Sequence, residues 1–403
     1  MLNKFLKVTL TLCFVILTTF IVSPAQETAP PNLEYQKALE LIQQNKFVEA
    51  LPLLEKLVPT NPNSSDFWAN YSFALYARAQ TLPTPEDRRR TRLAAKNAAQ
   101  KAWDLGSRKS LVLELIETIP DDGGADDKFT ENPKVDEALR EGEAYFGRGE
   151  YEKALAAYER AHKLDPKNYE AIAFAGDTFY ARKKFAESEM WFAKAVALEP
   201  DRELAFRFWG DALMAQGKVE AARDKYIDAL IAEPFSRLSW EKIRNWAEAS
   251  GNGWNPTGIT PPGGKPFGAV TFDRTLLKAE DGTINWQRYD QMREQWRQQL
   301  FKKEFPAAKT YRHTLREEAA ALRIVAETTK SDLKAGKIKK LDENLANLIK
   351  ISDAGLLEAY VLFPRINDEI AEDYEEYRKN NRDKLRRYIA DFLIGVKSSL
   401  SGK

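Results

Sequence analysis

Residues 167–200 read KNYEAIAFAGDTFYARKKFAESEMWFAKAVALEP, and a similar pattern restarts at residue 201. Proline stands at 166, 200 and 234, 34 residues apart, closing segments that end Leu-Asp-Pro, Leu-Glu-Pro and Ala-Glu-Pro. Other positions keep the same spacing: Gly142, Gly176 and Gly210; Tyr151, Phe185 and Val219; Ala154, Ser188 and Ala222; Tyr158, Phe192 and Tyr226; Ala161, Ala195 and Ala229. A fixed period of this length marks a stacked repeat. Within one unit, Ile172, Ala175, Gly176 and Phe179 follow helical spacing, and Phe185, Ser188, Phe192 and Ala195 do so again, so each unit is a helical hairpin. Small residues let the two helices approach, and aromatics fill the space between units. The proline ends the second helix because it has no N–H and disfavours helix at the residue before it. One hairpin cannot bury its apolar face alone, so the units must stack.

These residues and offsets resemble the tetratricopeptide repeat family, with Ser188 and Val219 as mild departures from its usual Ala and aromatic. An earlier unit ending at Pro62 matches more loosely through Ala38, Phe47 and Ala50, with Leu54 and Leu57 where an aromatic and Ala are usual. Between the two regions, 65–80 and 86–105 read as a degenerate hairpin interrupted at Leu82-Pro83-Thr84-Pro85. A helix over 236–250, carrying Leu238, Ile243 and Trp246, is expected to cap the stack.

The resemblance implies a concave groove lined by the first helices. Carried over by position, its residues are Asp136, Glu143 and Phe146, then Glu170, Asp177 and Tyr180, then Arg207, Asp211 and Met214. Glu143, Asp177 and Asp211 recur at one place and predict an acidic ladder. The partner it suits is a protein or peptide segment with basic and apolar residues. One subclass of the family holds an acidic tail with Lys and Asn in this groove, and the acids here speak against that ligand.

The chain has 403 residues with 61 basic and 60 acidic side chains, 2 His and 1 Cys. Near-balance of charge removes the footprint of a nucleic-acid binder, and so few His and Cys leave little for thiol, His-based or zinc chemistry. No cofactor and no metal are expected. Lys4 and Lys7 precede an apolar run from Val8 to Val22 and the small residues Ser23-Pro24-Ala25, the pattern of a secretory signal cut before Gln26. An uncleaved anchor is the alternative, although the run is short of the roughly 20 residues that span a bilayer. Removal of residues 1–25 takes away two lysines, no acid and the lone Cys13. The expected address is periplasmic or secreted, with stability resting on the hydrophobic core and no disulfide.

The run Asp121-Asp122-Gly123-Gly124-Ala125-Asp126-Asp127 reads as a flexible acidic linker, because a calcium loop would need ligands where the two glycines fall. Residues 251–272 are dense in Gly and Pro, with room only for a short strand at 268–272; Gly263-Gly264-Lys265 lacks the surroundings of a phosphate loop. Helical patterns return after 285. Asp353 is expected to cap a short helix ending at Leu362 before Pro364, and a long last helix is expected over 367–397. Its basic run from Arg378 to Arg387, preceded by Glu372 to Glu376, reads as a solvated face. His313 and Glu317 are expected one turn apart on a helix, a spacing that could hold a metal given a third ligand or let a carboxylate orient a base, although a packed or paired histidine is the preferred reading. With Glu318 they are the candidates if this half is an enzyme or ligand-binding module. The tryptophans at 240, 246, 254, 286 and 296 read as core.

The expected architecture is all-α: a signal segment at 1–25, divergent hairpins at 31–119, the acidic linker at 120–134, three regular units and a cap at 135–250, a connector at 251–284 and a helical domain at 285–397. The expected function is an exported, non-catalytic protein-binding scaffold in envelope assembly or complex organisation.

Overall fold

A computed structural model describes residues 33–394 apart from 45, 83, 125–127, 255–257, 266–267 and 364–366. The expected signal segment, Pro83 and Pro364 therefore lie outside the described residues. The regular structure of the described residues is helical, with one isolated antiparallel bridge between Trp254 and Ile394. No strand forms at 268–272, the one stretch of the connector with room for it. Contacts divide the chain into two units, Met1–Ile243 and Arg244–Lys403.

The first unit opens with the hairpins α1 (Leu33–Gln43) and α2 (Phe47–Thr60), then α3 (Ser65–Thr81) and α4 (Pro85–Asp104). A short helix outside the repeat period, α5 (Ser110–Thr118), follows. The regular hairpins are α6 (Pro133–Gly147) with α7 (Tyr151–Leu164), α8 (Tyr169–Ala181) with α9 (Phe185–Leu198), and α10 (Glu203–Ala215) with α11 (Val219–Ala232); α12 (Arg237–Ala249) begins where the capping helix was expected. Local chemistry starts several of these helices. Ser64, Thr84, Asn132 and Asn168 each accept a hydrogen bond from a first-turn N–H, and Pro85 and Pro133 occupy first positions where no N–H is needed.

Three glycines explain the close approach within each hairpin. A Cβ on Gly142, Gly176 or Gly210 would lie 2.3, 2.9 or 2.4 Å from the ring of Tyr158, Phe192 or Tyr226. The tight turn between helices needs a left-handed residue, supplied by Gly149 (φ 74°) and Gly217 (φ 72°), but by Lys183 (φ 60°) in the middle unit. First helices pack on first helices along the stack, α3 on α6, α6 on α8 and α8 on α10, so they build one face of the solenoid.

In the second unit, α13 (Gln287–Gln295) passes through a π turn at Trp296–Leu300 into α14 (Phe301–Glu304), followed by α15 (Leu315–Lys334), α16 (Glu343–Asp353), α17 (Leu357–Leu362), α18 (Asp368–Ala371) and α19 (Tyr374–Tyr388). Trp286 is fully buried and Trp296 nearly so, as core residues; Phe363, Tyr388 and Phe392 stack at 5.9 and 5.8 Å. Several expectations need correction. Asp353 ends α16, which Gly355 terminates in left-handed conformation (φ 71°), and Asp342 is the residue that caps it. The last helix is broken between α18 and α19 and kinked at Asn381, whose side chain bonds back to the Tyr377 carbonyl at 3.0 Å. Arg378 is buried against Tyr374 rather than solvated.

Candidate functional site

The face built by the first helices is occupied by the chain itself. From α4 the backbone turns at Gly106 (φ 96°) and enters α5, tethered at its start by Lys109 to Asp66 of α3 at 2.8 Å. Val112, Leu113 and Leu115 are buried, and Val112 and Leu115 join the same apolar cluster as Leu139 of α6, Phe174 of α8 and Leu204 of α10. Glu114 faces Arg207 of α10 at 3.5 Å, and Glu117 faces Arg237 of α12 at 3.2 Å. Glu114 also acts electrostatically on Tyr76 of α3, as does Glu143 of α6. Tyr76, Glu143 and Arg207 belong to first helices, and with Arg237 of the capping helix they place α5 against the inner face.

The segment that follows α5 is held to α4. Lys96 donates to the Ile119 carbonyl at 2.6 Å and pairs with Asp121 at 2.7 Å, while Arg89 and Arg92 donate to the carbonyls of Asp122, Gly123 and Gly124. The described part of the acidic linker is thus pinned rather than flexible. Phe129 then meets Phe174 edge-on at 5.6 Å, and its N–H donates to Asp136 at 2.7 Å.

The residues expected to line an open groove are engaged internally. Asp136 pairs with Arg140 besides accepting from Phe129, and Glu170 pairs with Arg202 at 3.1 Å. Phe146 and Tyr180 are buried against Tyr151 and Phe185, and Met214 is half-buried. Arg207 is 2% exposed and pairs with Glu203 as well as Glu114. The acidic ladder has a structural use at two of its rungs: Tyr158 donates to Glu143 at 2.6 Å, and Tyr226 donates to Asp211 at 2.7 Å, both across the hairpin. Lys242 adds two contacts to Asp211, at 2.9 and 2.7 Å. Asp177 is fully buried. Spacing assigned these acids to an open groove, but two of them reach instead to the second helix of their own hairpin, because exposure depends on what packs around each side chain.

Burial shapes their charge. Desolvation raises the Glu143 carboxyl to about 7, against the Tyr158 hydrogen bond that lowers it. Burial likewise raises Glu114, opposed by the Arg207 charge.

In the second unit, His313 lies before α15 and not on it. Thr314 caps that helix by accepting from the Glu317 N–H at 3.2 Å. His313 is buried with Nε2 3.0 Å from Glu318, close enough for an ion pair but out of line for a hydrogen bond, and Nδ1 lies 3.4 Å from Asn367. Glu317 instead pairs with Arg293 and accepts from Tyr311 at 2.8 and 2.9 Å. Burial would raise Glu318, but His313, a Tyr289 hydrogen bond at 2.6 Å and the Arg293 charge hold it below the usual range. The three candidates therefore sit in one mutually paired network. Among the described residues no group of three His, Cys, Asp or Glu is placed to hold a metal, and no helix is long and apolar enough to cross a membrane.

The tetratricopeptide repeat profile matches residues 139–168, within the regular units. No curated protein matches the chain. Among solved structures, the chain is similar to the first TPR domain of human RPAP3, at 27% identity over 29% of this chain and 92% of that one, with a TM-score of 0.28. It is similar to the first TPR of Spaghetti (RPAP3) bound to an HSP90 peptide, at 27% identity over 30% and 97%, TM-score 0.28. A thermophilic TPR protein from Thermus thermophilus is similar at 18% identity over 54% and 97%, TM-score 0.27.

Proposed function

We propose that the chain is an exported, non-catalytic scaffold that holds a segment of a partner protein on the inner face of its helical repeats, in envelope assembly or complex organisation. The observation that carries this reading is that the inner face already accommodates a helix: α5 lies across it, with apolar side chains buried and Glu114 met by Arg207. A surface shaped for a helix and furnished with fixed charges is what peptide recognition in a groove needs. The sequence at 1–25 supports export, and the pairing of His313, Glu317 and Glu318 with their own neighbours supports a packing role for them.

A photo-crosslinking side chain at Met214, on a first helix, is compared in the native cell envelope with one at Met190, an exposed residue of the second helix α9. A defined partner crosslinked from 214 and absent from 190 is the expected result. Equal or no crosslinking from the two would make the repeats a spacer. N-terminal sequencing of the envelope-associated protein should begin at Gln26; a retained Met1 would replace export of a free chain by anchoring.

A further inference from the structure

We infer that α5 is a built-in ligand of the repeat solenoid, and that the partner it gives way to is an amphipathic helix carrying carboxylates one turn apart. The inference rests on the scaffold reading above and adds both the chemistry of the partner and the means of its control.

Three observations lead to it. First, α5 falls outside the repeat period, yet it uses the stack as a ligand would: its apolar side chains enter the core cluster, and two glutamates at i and i+3 meet Arg207 on the first helix α10 and Arg237 on the capping helix α12. Second, α5 lacks the features that sustain a helix by itself. It has nine residues, no side-chain cap from Lys109, no acid in its first turn and no base in its last. Helices this short are marginal in water, so α5 persists only while docked. Its central ion pair is buried, where desolvation offsets much of the attraction. Third, the segment after it is fastened to α4 by Arg89, Arg92 and Lys96, so the hold on Ile119 to Gly124 does not depend on α5 being seated. Undocking α5 would uncover an apolar trough with Arg207 at its floor and Arg237 at its exposed edge. That arrangement fits a second helix with the chemistry of α5, an apolar stripe with acids, and it replaces the basic partner that an acidic ladder would have called for.

The test has two arms. In the full-length protein, hydrogen exchange should show α5 amides opening at least tenfold more often than those of α6 and α8, which are released only when the stack unfolds. Exchange of α5 in step with α6 and α8 would overturn the inference. In the second arm, a fluorescent peptide of residues 107–120 is titrated onto wild-type protein and onto a full-length variant whose residues 110–118 are replaced by Gly and Ser. The peptide should bind the variant at least tenfold more tightly than wild type. Glu114→Lys in the peptide should abolish binding, and Arg207→Glu in the receptor should restore it to that altered peptide. A folded variant that ignores the peptide would also overturn the inference; if the variant does not fold, the exchange arm decides. Failure here with a partner still crosslinked at 214 would leave the scaffold reading standing. An opening α5 with no partner found would overturn the scaffold reading and, with it, the partner half of this inference.

Discussion

Arg207 of α10 and Glu114 of α5 face each other at 3.5 Å with both side chains almost wholly withdrawn from water, and Glu203 approaches the same guanidinium at 2.8 Å. One cation therefore serves two buried carboxylates, which makes it the electrostatic centre of the repeat unit. Truncation in Arg207→Ala leaves both acids without their counter-charge and should cost about 3–5 kcal/mol. Arg207→Met combined with Glu114→Gln and Glu203→Gln should recover most of that loss. Amide exchange protection in α10 measures it within this unit; equal protection in Arg207→Ala and wild type would show that the pair contributes nothing.

The two ladder tyrosines should differ. Tyr158→Phe removes the hydroxyl that donates to Glu143 and should cost about 1–3 kcal/mol, the penalty for a buried polar group left without its partner. Tyr226→Phe should cost less, because Asp211 keeps both contacts from Lys242. Thermal unfolding of the two variants side by side checks the order.

Glu143 and Glu233 both have carboxyls raised by burial to about 7. Between the ordinary carboxylate value and 7 the folded chain retains protons that the unfolded chain has released, so this contribution to stability is fully present at low pH and is lost as pH rises through 7. The calorimetric transition that Arg207→Ala moves should therefore shift to lower temperature as pH is raised through neutrality. Glu143→Gln keeps the acceptor for Tyr158 and should weaken that dependence, with Glu233 and the other carboxyls raised by burial, Glu114 and Glu117, responsible for the remainder. A transition insensitive to pH across this window in wild type would contradict the burial of these charges.

Lys183 and Gly142 predict opposite signs. Lys183 is held at φ 60° where the flanking units use glycine, so Lys183→Gly should stabilise the middle turn by up to about 1 kcal/mol. Gly142→Ala sets a methyl 2.3 Å from the Tyr158 ring and should cost about 1–3 kcal/mol through displacement of that ring. Denaturant unfolding resolves both changes.

The hairpins were legible because their signal is local and repeated. Gly142 with Tyr158, Gly176 with Phe192 and Gly210 with Tyr226 carry the helix-to-helix contact at one spacing, and Pro166, Pro200 and Pro234 set the stops. The short helix α5 is invisible to that spacing because it stands outside the period. Its near-continuous apolar run, Leu111, Val112, Leu113, Leu115 and Ile116, is the sign of a helix covered on most sides, and that signal was available. Neither the break before α19 nor the kink inside it is legible in periodicity, since the apolar residues continue through both and at the kink Asn381 bonds back to the Tyr377 carbonyl.

By itself the sequence determined an all-α chain of stacked hairpins followed by a second helical region, because hydrophobic spacing, glycine–aromatic complementarity and proline stops act within one or two turns of the backbone. Only the tertiary structure decided which groups that solenoid offers to a partner. Glu143 and Asp177 are buried, Glu143 against Tyr158 of α7, and Arg207 is covered by Glu114 of α5, none of which follows from spacing along one helix. Burial of a charged group is a property of all its neighbours at once, and those neighbours come from segments far apart in the chain.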